Sequence, residues 1–240
     1  MGDDRTRISF FKAYIAHMRT IYPDFGKGCY VDSTPLPNEI KNNPLNALCR
    51  HGKEGAVNQT RLVFILDKGT GRIVWYIPIP GNINDINTLK NVTADVSASL
   101  NITIDSFVLD AGYISKDLIA SMCSEKGKDF IGRMPNRKGF HYSTLFTQQV
   151  RPYITKFNNY QFFRARHTYF GKKIREKFFG YDLNAYVYVD KENAANYNKE
   201  YHIIHPELIQ KMDESQLSWI AYRGGYFVLL SNLMLLLVKF

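Results

Sequence analysis

Cysteine is scarce in this chain: Cys29, Cys49 and Cys123 are odd in number, widely spaced and in no CxxC pair. That excludes a disulfide framework and a zinc ribbon, and predicts buried free thiols in a reducing cytoplasm. An apolar leader is also missing. The N-terminus begins acidic, with Asp3 and Asp4, and then turns mixed, which is not a secretory signal. Leu229 to Val238 is apolar but far short of the roughly 20 residues a membrane helix needs. Internal repeats and low-complexity tracts are absent, which leaves an ordinary globular protein. Acids are nearly missing from one region: between Arg137 and Gly180 there is one, Glu176, against ten Lys/Arg. That excess of nine equals the net charge of the whole chain.

What is present fits a folded domain with a basic partner surface. The 240 residues, 45% apolar and 22% charged, suffice for one large domain or two small ones with a sizeable core. A pI near 9.3 points to a polyanion, nucleic acid before an acidic membrane.

Residues 8 to 21 carry Phe10, Phe11, Tyr14, Ile15, Met18 and Ile21 at helical spacing, an amphipathic helix ending before Pro23. A strand over 28–33 holds Asp32, and Pro35 to Pro44 reads as a loop. Arg61 to Leu66 and Arg72 to Ile77 form a hairpin about Asp67–Gly71, broken by Pro78, Pro80 and Gly81. An amphipathic helix runs from Asp85 to Leu100 with Ile86, Leu89, Val92, Val96 and Leu100 on one face. A strand from Thr103 ends at Asp110, Ser115 caps a helix that Gly127 closes, and Lys128 to Met134 is a further strand. This order is that of an RNase H-like α/β core. Beyond Pro135 a basic, aromatic-rich stretch predicts a β-rich subdomain. Within it 178–189 reads as one strand, followed by a helical stretch over 190–212 with a break at Pro206. A last strand runs from Gly224 to Leu230.

Two acids stand out. Asp32 lies in a strand, and Asp110 ends the apolar run Phe107-Val108-Leu109 just before Ala111 and Gly112. An isolated acid at a strand end is commonly a turn or cap residue. Two on neighbouring strands make half of a site for hard divalent cations, which take oxygen ligands.

Three blocks carry a family resemblance: Val31-Asp32-Ser33-Thr34, Pro80-Gly81-Asn82-Ile83-Asn84-Asp85 and Val108-Leu109-Asp110-Ala111-Gly112-Tyr113. They resemble the blocks of insertion-sequence DDE transposases, closest to the prokaryotic IS-four-like group, over roughly residues 25–232. The resemblance implies an RNase H-like catalytic core with a β-rich insertion, two Mg²⁺ or Mn²⁺ ions, and cleavage and strand transfer on DNA. It makes Asp32 and Asp110 the first two metal-ligating, catalytic acids. The family's third acid belongs to a Y-x2-R-x3-E-x6-K helix following a strand that Gly225 to Asn232 resembles. Only Leu233 to Phe240 follow here, so no third acid is assigned. Ile174 to Lys177 has the wrong spacing for that signature, and Glu200, Glu207 and Glu214 read as solvated helix positions.

The expected organisation is a helical arm over 1–24, a core over 25–136, a basic insertion over 137–223 and a final strand and tail over 224–240, a transposase shortened at both ends. Arg137, Lys138, Arg164, Arg166, Lys172, Lys173, Arg175 and Lys177 are the expected DNA contacts, their cations suiting phosphates and the interleaved aromatics suiting bases. His51 and Arg50 could also meet phosphate, and His202 with His205 has metal-ligand spacing but no third ligand nearby. Three functions follow: a metal-dependent transposase, inactive as it stands for want of the third acid; a non-catalytic remnant that binds DNA and pairs with itself or a full-length transposase; or another RNase H-like nuclease. All place the chain in the cytoplasm, at the nucleoid.

Overall fold

A computed structural model describes residues 3–50, 55–83, 85–124, 128–137, 140, 145 and 169–233. These form two compact units, residues 1–132 and 133–240. The expected Gly127 helix end and His51 lie outside the described residues, as do the side chains of Ile86 and Arg50.

In the first unit α1 (Asp4–Ile21) starts where Asp3 accepts a 2.7 Å hydrogen bond from the Thr6 amide. It buries Phe11, Ile15 and Met18, and Phe11 meets Trp75 edge-on with centroids 5.0 Å apart. The strands are β1 (Gly28–Pro37), β2 (Ala47–Arg50), β3 (Ala56–Asp67), β4 (Ile73–Pro80), β5 (Ser106–Leu109) and β6 (Asp129–Arg133). The helices α2 (Asp85–Leu100) and α3 (Lys116–Ser124) are the crossovers. Ser115 Oγ caps α3 by accepting from the Leu118 amide at 3.1 Å.

Strand order in this unit is β4-β3-β1-β5-β6, with β2 on the far end of β3. The β4-β3-β1 pairs are antiparallel, and β1, β5 and β6 are parallel. That is an RNase H-like fold, reached because two hairpin-linked pairings precede two crossover helices.

The sheet is strongly two-faced. Cys29, Val31, Val63, Ile65, Phe107, Leu109 and Phe130 are at most 4% exposed. On α2, Leu89, Val92, Val96 and Leu100 are buried, and Asp95 ties α2 to β4 by accepting from Trp75 Nε1 at 2.9 Å. The alternate residues form the other face, where Tyr30 and Leu36 are 41% and 43% exposed. Register adds Leu48 to that face, opposite Asn58, and it too is exposed.

Three boundaries differ from expectation. The Pro35–Pro44 loop is a strand to Pro37, and β2 follows it at Ala47. Pro78 and Pro80 do not break β4. Among the described residues β4 pairs with β3 alone, so prolines whose missing N–H faces away cost no ladder bond. The single strand expected over 178–189 is instead a hairpin.

That hairpin dominates the second unit: β7 (Tyr169–Phe178) and β8 (Tyr181–Asp190) are antiparallel, and β9 (Tyr226–Ser231) pairs with β8. Its turn, Phe179-Gly180, has φ 52° and 93°. Two positive values make a tight turn that follows the natural twist of the strands. Phe179 is held there against the Phe140 ring, centroids 5.1 Å apart. Helices α4 (Lys191–Ile204), α5 (Pro206–Ile209) and α6 (Glu214–Arg223) lie between β8 and β9, with the expected break at Pro206.

Candidate functional site

Parallel pairing of β1 with β5 ends at Val31↔Leu109, and Asp32 and Asp110 are the next residue on each strand. The two acids therefore leave adjacent strands at equivalent positions, with backbones about 4.8 Å apart. Asp32 remains in the sheet because β3 continues beside it, Asp32 facing Phe64. Asp110 instead begins a turn, in which the Tyr113 amide donates to its carbonyl at 3.1 Å. Tyr113 and Ile114, 1% and 0% exposed, anchor that turn. Gly132 makes room for it, since a Cβ there would collide with the Ile114 side chain.

Both acids are solvent-exposed. Asp32 Oδ1 accepts from the Ser33 amide at 2.7 Å, and neither carboxylate is in a salt bridge among the described residues. Exposed carboxylate oxygens with no ion pair among the described residues fit a divalent metal, which takes hard oxygen ligands. Two of them do not complete a two-metal site, and among the described residues no group of three or more His, Cys, Asp or Glu is formed. A cavity of about 540 Å³, lined by Tyr22, Lys27, Gly28, Asp67, Lys68 and Ser106, lies at the opposite, N-terminal ends of β1 and β5. Neither acid lines that cavity.

Sequence reasoning marks Arg61 only as the first residue of a strand. Its guanidinium lies 3.5 Å from Ser33 Oγ, and the Ser33↔Val63 and Pro35↔Arg61 register puts both on the face opposite Asp32, so Arg61 supports the strand pair rather than the acids.

The expected DNA contacts belong to the second unit. Arg137 is exposed, its guanidinium 5.6 Å from the Phe140 ring centre. Lys138, Arg164 and Arg166 lie outside the described residues. Lys172, Lys173, Arg175 and Lys177 occupy β7, and Lys177 is exposed. Ile174 to Lys177 is strand rather than helix. Glu200, Glu207 and Glu214 are exposed on α4, α5 and α6. His202 is exposed and His205 packs on Tyr201, ring centroids 4.7 Å apart. Among the described residues no helix is long and apolar enough to cross a membrane.

The first unit is thus an RNase H-like sheet with Asp32 and Asp110 at the ends of its adjacent parallel strands β1 and β5. Residues 24–194 match the family described as the transposase DDE domain, and the chain belongs to that family. No curated protein matches the sequence. The chain is similar to a solved piggyBac transposase synaptic complex with hairpin DNA, at 12% identity and a TM-score of 0.47, covering 100% of this chain. It is also similar to a Mos1 transposase paired-end complex with the left transposon end, at 12% identity and a TM-score of 0.29, covering 53% of this chain. The chain spans 42% of the length of each of those proteins.

Proposed function

We propose that this transposase-family chain acts on DNA as an insertion-sequence type of catalytic domain, with Asp32 and Asp110 as two of its metal-holding acids. The supporting observation is the register that carries both carboxylates to the ends of adjacent parallel strands, open to solvent and unpaired with any described cation. Bound Mg²⁺ or Mn²⁺ would supply activation of an attacking oxygen and stabilisation of the leaving one. The chain's own part is to offer hard oxygen donors at exposed strand ends.

Two carboxylates offset half the charge of two divalent ions. Among the described residues no third His, Cys, Asp or Glu joins Asp32 and Asp110, so these residues by themselves are expected to bind DNA without cutting it. The chain would do so in the cytoplasm, at the nucleoid, paired with itself or with a full-length transposase.

Supercoiled plasmid incubated with the chain and Mg²⁺ or Mn²⁺ tests this, alongside Mn²⁺ binding followed by electron paramagnetic resonance. DNA retention without nicking, and weak Mn²⁺ binding abolished in Asp110→Ala, is the expected result. Metal-dependent nicking lost in Asp110→Ala would overturn the inactivity and keep the site. Mn²⁺ binding indifferent to both Asp32→Ala and Asp110→Ala would overturn the site.

A further inference from the structure

Register in the parallel part of the sheet carries a third charged residue to the level of the two acids. The strands β1 and β5 pair as Cys29↔Phe107, Tyr30↔Val108 and Val31↔Leu109. β5 and β6 continue the same rows as Phe107↔Phe130, Val108↔Ile131 and Leu109↔Gly132. The next residues along the three strands are Asp32, Asp110 and Arg133, the last being the end of β6. Neighbouring strands are about 4.8 Å apart, so the Arg133 backbone is one strand spacing from Asp110 and two from Asp32.

Side chains alternate along a strand, and Cys29, Val31, Phe107, Leu109 and Phe130 are at most 4% exposed on the core face. Asp32 and Arg133 therefore fall on the opposite face, and all three charged residues are exposed. The backbone around Arg133 is fixed. Gly132 before it packs against the Ile114 side chain, which also anchors the Asp110 turn, and Met134 after it is 2% exposed. Its guanidinium makes neither an ion pair nor a side-chain hydrogen bond among the described residues.

Such a charge next to a site for divalent cations works against the metal, because like charges repel. A phosphate removes the conflict. Its oxygens accept from the planar guanidinium fork, whose geometry matches two of them, and its negative charge offsets the neighbouring cations.

We propose that Arg133 is a phosphate-binding residue of the Asp32–Asp110 site, holding the backbone of the nucleic acid on which that site acts. This rests on the DNA-acting reading above and adds to it a cation that the two acids do not provide.

Two readouts on the full chain test it, and a purely structural role would not move them in opposite directions. One is Mn²⁺ binding followed by electron paramagnetic resonance. The other is anisotropy of a short fluorescent duplex at a Mn²⁺ concentration that fills the site. Arg133→Gln is expected to tighten Mn²⁺ binding about two- to fivefold, by removing a neighbouring positive charge. It is expected to weaken duplex binding about tenfold, the size of a lost charged hydrogen-bonded contact. Arg133→Lys keeps the charge, so Mn²⁺ binding stays near wild type while duplex binding weakens through loss of the fork. Lys68→Gln removes an exposed cation beside Gly28, at the other end of β1, and is expected to leave both readouts unchanged. Thermal melting checks each fold, and should Arg133→Gln unfold, Arg133→Met takes its place with the same expectations. Duplex binding that is unchanged in the charge-removing variant, or that falls equally in Lys68→Gln, overturns the proposal alone. A wild-type chain that binds no DNA, or Mn²⁺ binding indifferent to Asp32 and Asp110, overturns the functional reading and this one together.

Discussion

Cys29 is wholly buried near the start of β1, and burial, helped by the Asp67 carboxylate, pushes its thiol up to about 12 from 9.0. The unfolded chain loses that proton at lower pH than the folded one. The unfolded state therefore binds fewer protons above pH 9, and stability falls as pH rises. The contribution is intact below about pH 9 and lost progressively up to about pH 12, at no more than about 1.4 kcal/mol per unit. Denaturant unfolding at several pH values from neutral to alkaline should show a shallower alkaline decline in Cys29→Ala than in wild type. Under native conditions iodoacetamide should label the half-buried Cys49 and Cys123 and spare Cys29. Free thiols were readable from three widely spaced cysteines with no CxxC pair, though of the three expected to be buried only Cys29 is, Cys49 and Cys123 being half-buried. Phe179 was not readable. Its positive φ is invisible in a run of Phe178, Phe179, Gly180 and Tyr181, which reads as continuous strand until long-range contact with Phe140 fixes the turn.

At the level of elements, the legible pieces were those whose own pattern sufficed. The α2 face at Leu89, Val92, Val96 and Leu100 follows helical period, and Ser115 announces α3. Asp110 was legible for the same reason, an apolar run ending at a small-residue turn. What stayed hidden depends on partners distant in sequence: β2, whose four residues form a strand only against β3, and the prolines of β4, tolerated through an edge that sequence does not reveal. The two sheet faces should answer mutation differently. Ile65→Ala, at 0% exposure, should cost about 2–5 kcal/mol in urea unfolding, whereas Leu36→Thr on the acid-bearing face should stay within about 0.5 kcal/mol. The entry into β9 is equally exacting. A Cβ on Gly225 would run into the Asp190 carbonyl, where the start of α4 passes. Gly225→Ala should therefore destabilise by about 2 kcal/mol or more, read by the same unfolding measurement.

For the whole molecule, charge decides more than shape. The +9 net charge arises from residues 137–180, while the unit that carries the two acids holds the RNase H-like sheet. A chain that holds DNA through about three phosphates should bind it several tens of fold more weakly when salt is raised fourfold from 50 mM. A chain whose affinity barely moves would be held by something other than phosphates.

The length by which β1 outruns β5 has one more effect. From Ser33 to Pro37 β1 is paired with β3 on one side, while its pairing with β5 stops at Val31, next to both acids. An edge unpaired among the described residues invites a strand from another copy to dock and seed aggregation. Pro35 and Pro37 offer no N–H to an incoming strand, so the segment is poorly built for sheet extension. Replacing both prolines with valine should therefore raise the tendency to precipitate, read by light scattering, before it alters the fold.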